Sequence, residues 1–140
     1  MSRILGIDYG TVRIGLALSD PTGTLASPLP HWEKKSLREI EASLRQLIQA
    51  HEIAKIVVGL PRNMDGSYGP AAEKVRAFIS HIQGNLTVPI DTQDERLSTV
   101  QASKQLSHIG LNQKDLRRKI DSASASLILQ QYLDRHSILP

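Results

Sequence analysis

Three acids stand where strand and helix preferences alone would not place them: Asp8, Glu95 and Asp121. Asp8 closes the apolar run Ile4-Leu5-Gly6-Ile7, an unfavourable position for a β-strand. Glu95 lies just past a short strand pattern. Asp121 opens the last helical pattern, with Ala125, Ile128 and Tyr132 following at +4, +7 and +11. That spacing sets its carboxylate at the end of an apolar, core-facing stripe. Carboxylates that converge repel and raise one another's pKa. Hard divalent cations relieve the repulsion, and Mg²⁺ characteristically takes one or two carboxylates, water and substrate phosphate. Two such ions about 3.5–4 Å apart activate a water and stabilise the leaving oxygen of a phosphodiester. Each acid also has an ordinary reading. Asp8 is a turn former, Asp121 a helix N-cap, and Glu95 part of a solvated Asp94-Glu95-Arg96 cluster.

Cations accompany the acids. Arg13, Arg62, Arg96 and the cluster Lys114, Arg117, Arg118 and Lys119 are suited to a nucleic-acid backbone. A solvated helix start explains the cluster equally well. Gly59-Leu60-Pro61-Arg62-Asn63-Met64-Asp65-Gly66 is a glycine-bearing loop after a strand, without the Gly-Lys-Ser/Thr of a Walker motif. Asn63 and the loop amides contact a phosphate or order a metal site in one reading, and simply make turns in the other. Aromatics are few and show no platform, which favours backbone or shape recognition over base stacking. There is no Cys, and the five His have no metal-ligand spacing, so thiolate chemistry is excluded.

The elements that must position these residues follow from periodicity. Ile4–Asp8 is a strand, Gly10-Thr11 a turn, and Arg13–Ser19 a strand with Ile14, Leu16 and Leu18 on one face and Gly15, Ala17 and Ser19 on the other. Thr24–Trp32 is a third strand, held to an edge by Pro28 and Pro30. Ser36 and Glu39 form a capping box for a helix striped by Leu37, Ile40, Leu44, Leu47 and Ile48. Ala54–Leu60 reads as a strand buried on both faces. Pro70 starts a helix running to Gly84, and Val88–Asp91 is the last strand. A helix is expected from Thr99 to Gly110, and another from Asp121 to His136 after the basic segment. The order β-β-β-α-β-α-β-α-α predicts an α/β fold whose mixed five-stranded sheet begins antiparallel and continues by right-handed parallel crossovers, with helices on both faces.

One hundred and forty residues, 40% of them hydrophobic and 22% charged, suit a single domain spanning 1–140. The net charge of +3 favours a polyanionic partner. No apolar run reaches the roughly 18 residues of a membrane helix. Asp8 interrupts the only apolar stretch near the start, so no export signal is expected, and the absence of Cys fits a cytoplasmic location.

Four strings, collinear over nearly the whole chain, resemble the YqgF/RuvX family, which comprises bacterial Holliday-junction-resolvase-like proteins and ribosomal RNA precursor nucleases. They are Gly6-Ile7-Asp8-Tyr9-Gly10 with Arg13-Ile14-Gly15; Val58-Gly59-Leu60-Pro61 with Asn63-Met64-Asp65-Gly66; Asp94-Glu95-Arg96-Leu97-Ser98-Thr99; and Asp121-Ser122-Ala123 with Ile128-Leu129. The resemblance implies a ribonuclease-H-like fold and hydrolysis of phosphodiester bonds with Mg²⁺ or Mn²⁺. It puts the family's acidic triad, catalytic and metal-binding, on Asp8, Glu95 and Asp121. It implies a role in ribosome biogenesis, trimming the 5′ end of pre-16S rRNA. Ser124 stands where many members have Ala.

Four-way DNA junctions are the alternative substrate, and a symmetric junction would call for a two-fold dimer; a monomer or weak homodimer is expected. Two other classes remain open. Asp8-Tyr9-Gly10-Thr11 with Gly15 is similar to the phosphate loop of actin-like ATPases and sugar kinases, which close two such domains on a nucleotide. A non-catalytic RNA-binding assembly factor would also use the basic balance.

Overall fold

The computed structural model describes residues 3–63, 65–95 and 113–136; for 113–123 the description is of the backbone. The elements run β1 (Arg3–Tyr9), β2 (Arg13–Ser19), β3 (Ala26–Glu33), α1 (Leu37–His51), β4 (Ile53–Leu60), α2 (Pro70–Gln83), β5 (Ile90–Asp94) and α3 (Gln113–Arg135). One sheet contains all five strands in the order β3-β2-β1-β4-β5. β1 pairs antiparallel with β2, and β2 antiparallel with β3. β1 and β4 are parallel, as are β4 and β5. The mixed sheet, the antiparallel opening and the edge placement of β3 match the periodicity reading.

Strand alternation divides the sheet into two faces. Leu5 and Ile7, Ile14, Leu16 and Leu18, and Ile56, Val58 and Leu60 point to one side, against Ile40 and Leu44 of α1 and Val75, Phe78 and Ile82 of α2. Each fully buried Leu, Ile, Val or Phe contributes roughly 1.5–3 kcal/mol relative to exposure. Ser36 caps α1, its hydroxyl accepting the Glu39 N–H at 3.2 Å, and Pro70 is at the first turn of α2. The opposite face carries smaller residues. Ala17, Ala125, Leu129 and Leu133 pack together, as do Val57, Ile128 and Tyr132. α3 can lie this close because β1 and β4 present glycine to it. A Cβ on Gly6 would come 2.8 Å from the Leu129 Cβ, and one on Gly59 would come 2.5 Å from the Ile128 Cδ1.

Beyond shifts of one or two residues at the ends of β1, β3 and β4, two boundaries differ from expectation, and both matter for the acids. The last strand is Ile90–Asp94, not Val88–Asp91. Its ladder with β4 runs from Ile56↔Ile90 to Leu60↔Asp94, because pairing with a buried strand outweighs the low strand propensity of Asp91, Gln93 and Asp94. Glu95 therefore follows the strand directly. The final helix begins at Gln113, so Asp121 is not its N-cap but lies inside it. Residues 113–121 contain neither Gly nor Pro to stop a helix before Asp121, and Gln, Lys, Leu and Arg are good helix formers. The segment Lys114–Lys119 is thus helical rather than a lead-in. The expected helix from Thr99 to Gly110 lies outside the described residues. No described helix is long and apolar enough to cross a membrane.

Candidate metal-dependent hydrolytic site

β1, β4 and β5 are parallel, so their carboxyl ends share one edge of the sheet, where open α/β sheets bind ligands. Asp8 lies near the end of β1, on the α3 side by alternation with Ile4 and Gly6. Glu95 follows β5, its N–H donating to the Leu60 carbonyl at 3.2 Å. Its side chain turns back over β4. A Cβ on Gly59 would meet the Glu95 Oε2 at 2.6 Å, so the glycine is the floor on which this carboxyl rests. The Asp8 and Glu95 carboxyls share a hydrogen bond. Burial, then the charge of Asp8 and that bond, push the Glu95 carboxyl up to about 8.

Two hard oxygen donors held in contact, one keeping its proton near neutrality, are a donor set that suits a divalent cation. A cation would take the place of the shared proton and remove the repulsion. The residues present therefore fit Mg²⁺ or Mn²⁺. Among the described residues, the structure brings together two of the three predicted acids, and no group of three acids or histidines converges. The backbone of α3 carries Asp121 toward the same edge. Tyr132 meets Lys55 and Asp91 near the amino ends of β4 and β5, while Ile128 reaches Gly59 near the carboxyl end. The axis thus advances toward the acids as the chain is read back to Asp121, about 1.5 Å per residue.

The predicted nucleic-acid contacts divide in three. Arg13 starts β2 on the same face as Asp8, its Nε 3.6 Å from Glu33 Oε1. Arg62 and Asn63 organise the loop after β4. Arg62 donates through Nε to the Gly66 carbonyl (2.7 Å) and through Nη1 to Asp94 Oδ2 (2.9 Å). It thereby clasps this loop to the residue preceding Glu95. Asn63 donates its N–H to the Ser67 carbonyl (2.8 Å) and its Nδ2 to the Ser67 hydroxyl (3.1 Å). Both contacts lie within the loop and order it. Arg96 lies outside the described residues. Arg117, Arg118 and Lys119 fall in the first turns of α3, where only the backbone is described.

Two features of this edge were missed by sequence reasoning. Lys34, one residue past β3, donates to the Gly10 carbonyl (3.2 Å) and sits 4.1 Å above the Tyr9 ring, which stacks on Phe78. Tyr68 donates its hydroxyl to Asp94 Oδ1 at 3.2 Å. Neither residue carries a local signal. Both are brought to the edge by long-range pairing, β3 across β2 and the β4–α2 loop against β5.

Comparison with known proteins bears on what this edge does. A family model described as RuvX, Holliday junction resolvase, matches residues 2–135. A Moorella thermoacetica protein named "Putative pre-16S rRNA nuclease" is 46% identical over 133 residues, covering 95% of this chain and 95% of that protein. A protein of the same name from Halothermothrix orenii is 44% identical over 132 residues, covering 94% of each. Among solved structures, Thermus thermophilus RuvC in complex with a Holliday junction substrate superposes with a TM-score of 0.57 at 12% identity, covering 96% of this chain and 95% of that one. Fowlpox virus resolvase with Holliday junction DNA gives 0.52 at 13% identity, covering 95% and 97%. At such identities these structures speak to the fold, and it is that of the ribonuclease-H-like resolvases.

Proposed function

The chain belongs to the RuvX family, and from that membership we propose that it is a divalent-metal-dependent nuclease that processes the 5′ end of pre-16S rRNA. The observation that carries the reading is the half-buried Asp8–Glu95 pair at the carboxyl edge of the sheet, with Glu95 pushed up to about 8. Two acids held in contact and partly withdrawn from water are costly unless a cation is to occupy the site.

In this reading Asp8, Glu95 and Asp121 hold Mg²⁺ or Mn²⁺, two ions when substrate is present. When bound, the cation supplies charge neutralisation at the scissile phosphate and acidifies the attacking water. Asp8 would help align the attacking water with phosphorus. Glu95 would hold the cation as a carboxylate, its N–H fixed by the Leu60 carbonyl and its carboxyl resting over Gly59. Arg62 keeps the β4–α2 loop against Asp94 and so fixes the entry to the acids. Arg13, Lys34 and the basic residues of α3 would supply the positive charge for the phosphodiester backbone.

Four-way DNA is the second reading, favoured by the similarity to resolvases solved with junction DNA. A cleavage assay separates the two. Purified protein with Mg²⁺ or Mn²⁺ is given small-subunit precursor RNA and a four-way junction in parallel. Trimming of the RNA at its 5′ end, with the junction intact, is the expected result. Cutting of the junction alone moves the function to recombination, and failure to cut either substrate over a broad pH range defeats the nuclease reading.

A further inference from the structure

Most of the aromatic side chains are used by the fold itself. Tyr9 and Phe78 stack on each other at 4.1 Å, Tyr132 of α3 is buried against Val57 of the sheet, and Trp32 packs partly buried on the main core. Tyr68 differs. It remains 39% exposed, in the loop that enters α2. An exposed aromatic alone is unremarkable. This one is oriented by its hydroxyl bond to Asp94, the residue preceding Glu95. The Arg76 guanidinium carbon sits over its ring, 4.7 Å from the centroid, and that of Arg62 also sits over it at 5.3 Å, so a base that stacks here displaces the more loosely held Arg76 from the ring face.

Arg62 has its Nε and one Nη committed, to Gly66 and Asp94, so it anchors the assembly. Arg76 is on the first turns of α2, exposed, and among the described residues its ion pair is with Glu73 across the helix surface at 3.0 Å. A surface i,i+3 pair of this kind is weak and readily exchanged for a phosphate. The combination is an aromatic ring, held rigid and flanked by a cation with donors to spare, one residue from the acid pair. Proteins that hold unpaired strands use this combination, the ring stacking on a base and the cation following the backbone.

We propose that Tyr68 is the stacking surface for an unpaired nucleobase of the strand entering the acidic site, with Arg76 taking the adjoining phosphate. The assignment rests on the nuclease reading above and deepens it: the substrate is a strand with an unpaired end or bulge beside the scissile bond, not a fully paired duplex. It also departs from the expectation, drawn from aromatic content, that recognition is by backbone and shape alone.

The test reads binding without cleavage. Full-length protein in chelator is titrated into a hairpin whose 5′ overhang carries 2-aminopurine, made as RNA and as DNA, and into a blunt duplex of the same length. Quenching by the wild type is expected. Tyr68→Ala should bind the overhang roughly ten-fold more weakly, and Tyr68→Phe within about two-fold of wild type, with blunt duplex binding alike in all three. A response confined to RNA, or to DNA, supports the site and assigns its strand type. Overhang binding unchanged in Tyr68→Ala overturns the proposal. So does Tyr68→Phe falling as far as Tyr68→Ala, because the residue would then act only through its hydroxyl on Asp94. A wild type that quenches as expected yet cleaves neither precursor RNA nor junction supports the stacking site while defeating the nuclease reading.

Discussion

Glu95 holds its proton in the folded, metal-free protein up to about pH 8, against 4.5 for an ordinary glutamate. The unfolded chain releases that proton at the lower value. Folding is therefore favoured by this group below about pH 4.5, and the contribution is lost progressively as pH rises through 8. The urea midpoint measured in chelator should fall across that window. Asp8→Asn removes the neighbouring charge, so its midpoint should fall less steeply, and the difference between the two proteins isolates the pair. Saturating Mg²⁺ replaces the proton and should flatten the wild-type curve. Chelated wild type and Asp8→Asn with the same pH slope would mean that the two carboxyls do not interact.

At the scale of elements, the site depends on how closely α3 approaches β4. Tyr132, 2% exposed, accepts from Lys55 Nζ and donates to Asp91 Oδ2, both at 2.9 Å, and so ties the helix to two strands. Gly59 then sets the gap at the catalytic end. In Gly59→Ala the new Cβ meets two movable side-chain ends, Ile128 Cδ1 at 2.5 Å and Glu95 Oε2 at 2.6 Å. Overpacking of this kind costs about 1–3 kcal/mol. The displaced Glu95 should cost more: cleavage is expected to fall by at least about ten-fold, since a misplacement near 1 Å has effects of order a hundred-fold. Gly84→Ala, with nothing within 4 Å of its Cβ, serves as the control for both readouts. Full activity in a folded Gly59→Ala protein would show that the Glu95 position is not critical.

Across the whole molecule, what was legible in the sequence was whatever has a local cause. The strand alternation at Arg13–Ser19, the Ser36 cap with Glu39 and the edge-setting prolines 28 and 30 each declare themselves within a few residues. Asp8 was legible because an acid closing an apolar strand is costly without a purpose. Glu95 was legible as a candidate, but not its contact with Asp8, which depends on the β1–β4–β5 register and on the absence of a side chain at Gly59. The extent of β5 was missed because cross-strand pairing, not propensity, extends it to Asp94. The start of α3 was missed because Asp121 offers a plausible cap and the preceding cations look like a loop. Tyr68 and Lys34 were hidden for the same reason as the acid contact, since their neighbours are distant in the chain.

The central claim is that Asp8 and Glu95 form a cation-dependent hydrolytic centre. Its most direct test is single-turnover cleavage of 5′-extended small-subunit precursor RNA, comparing wild type with Asp8→Asn in Mg²⁺ and wild type in chelator. Asp8→Asn keeps the shape and removes the charge, so the account predicts a folded protein whose rate is lower by about two or more orders of magnitude, and no cleavage in chelator. Equal rates in wild type and folded Asp8→Asn, or cleavage that persists in chelator, would contradict it.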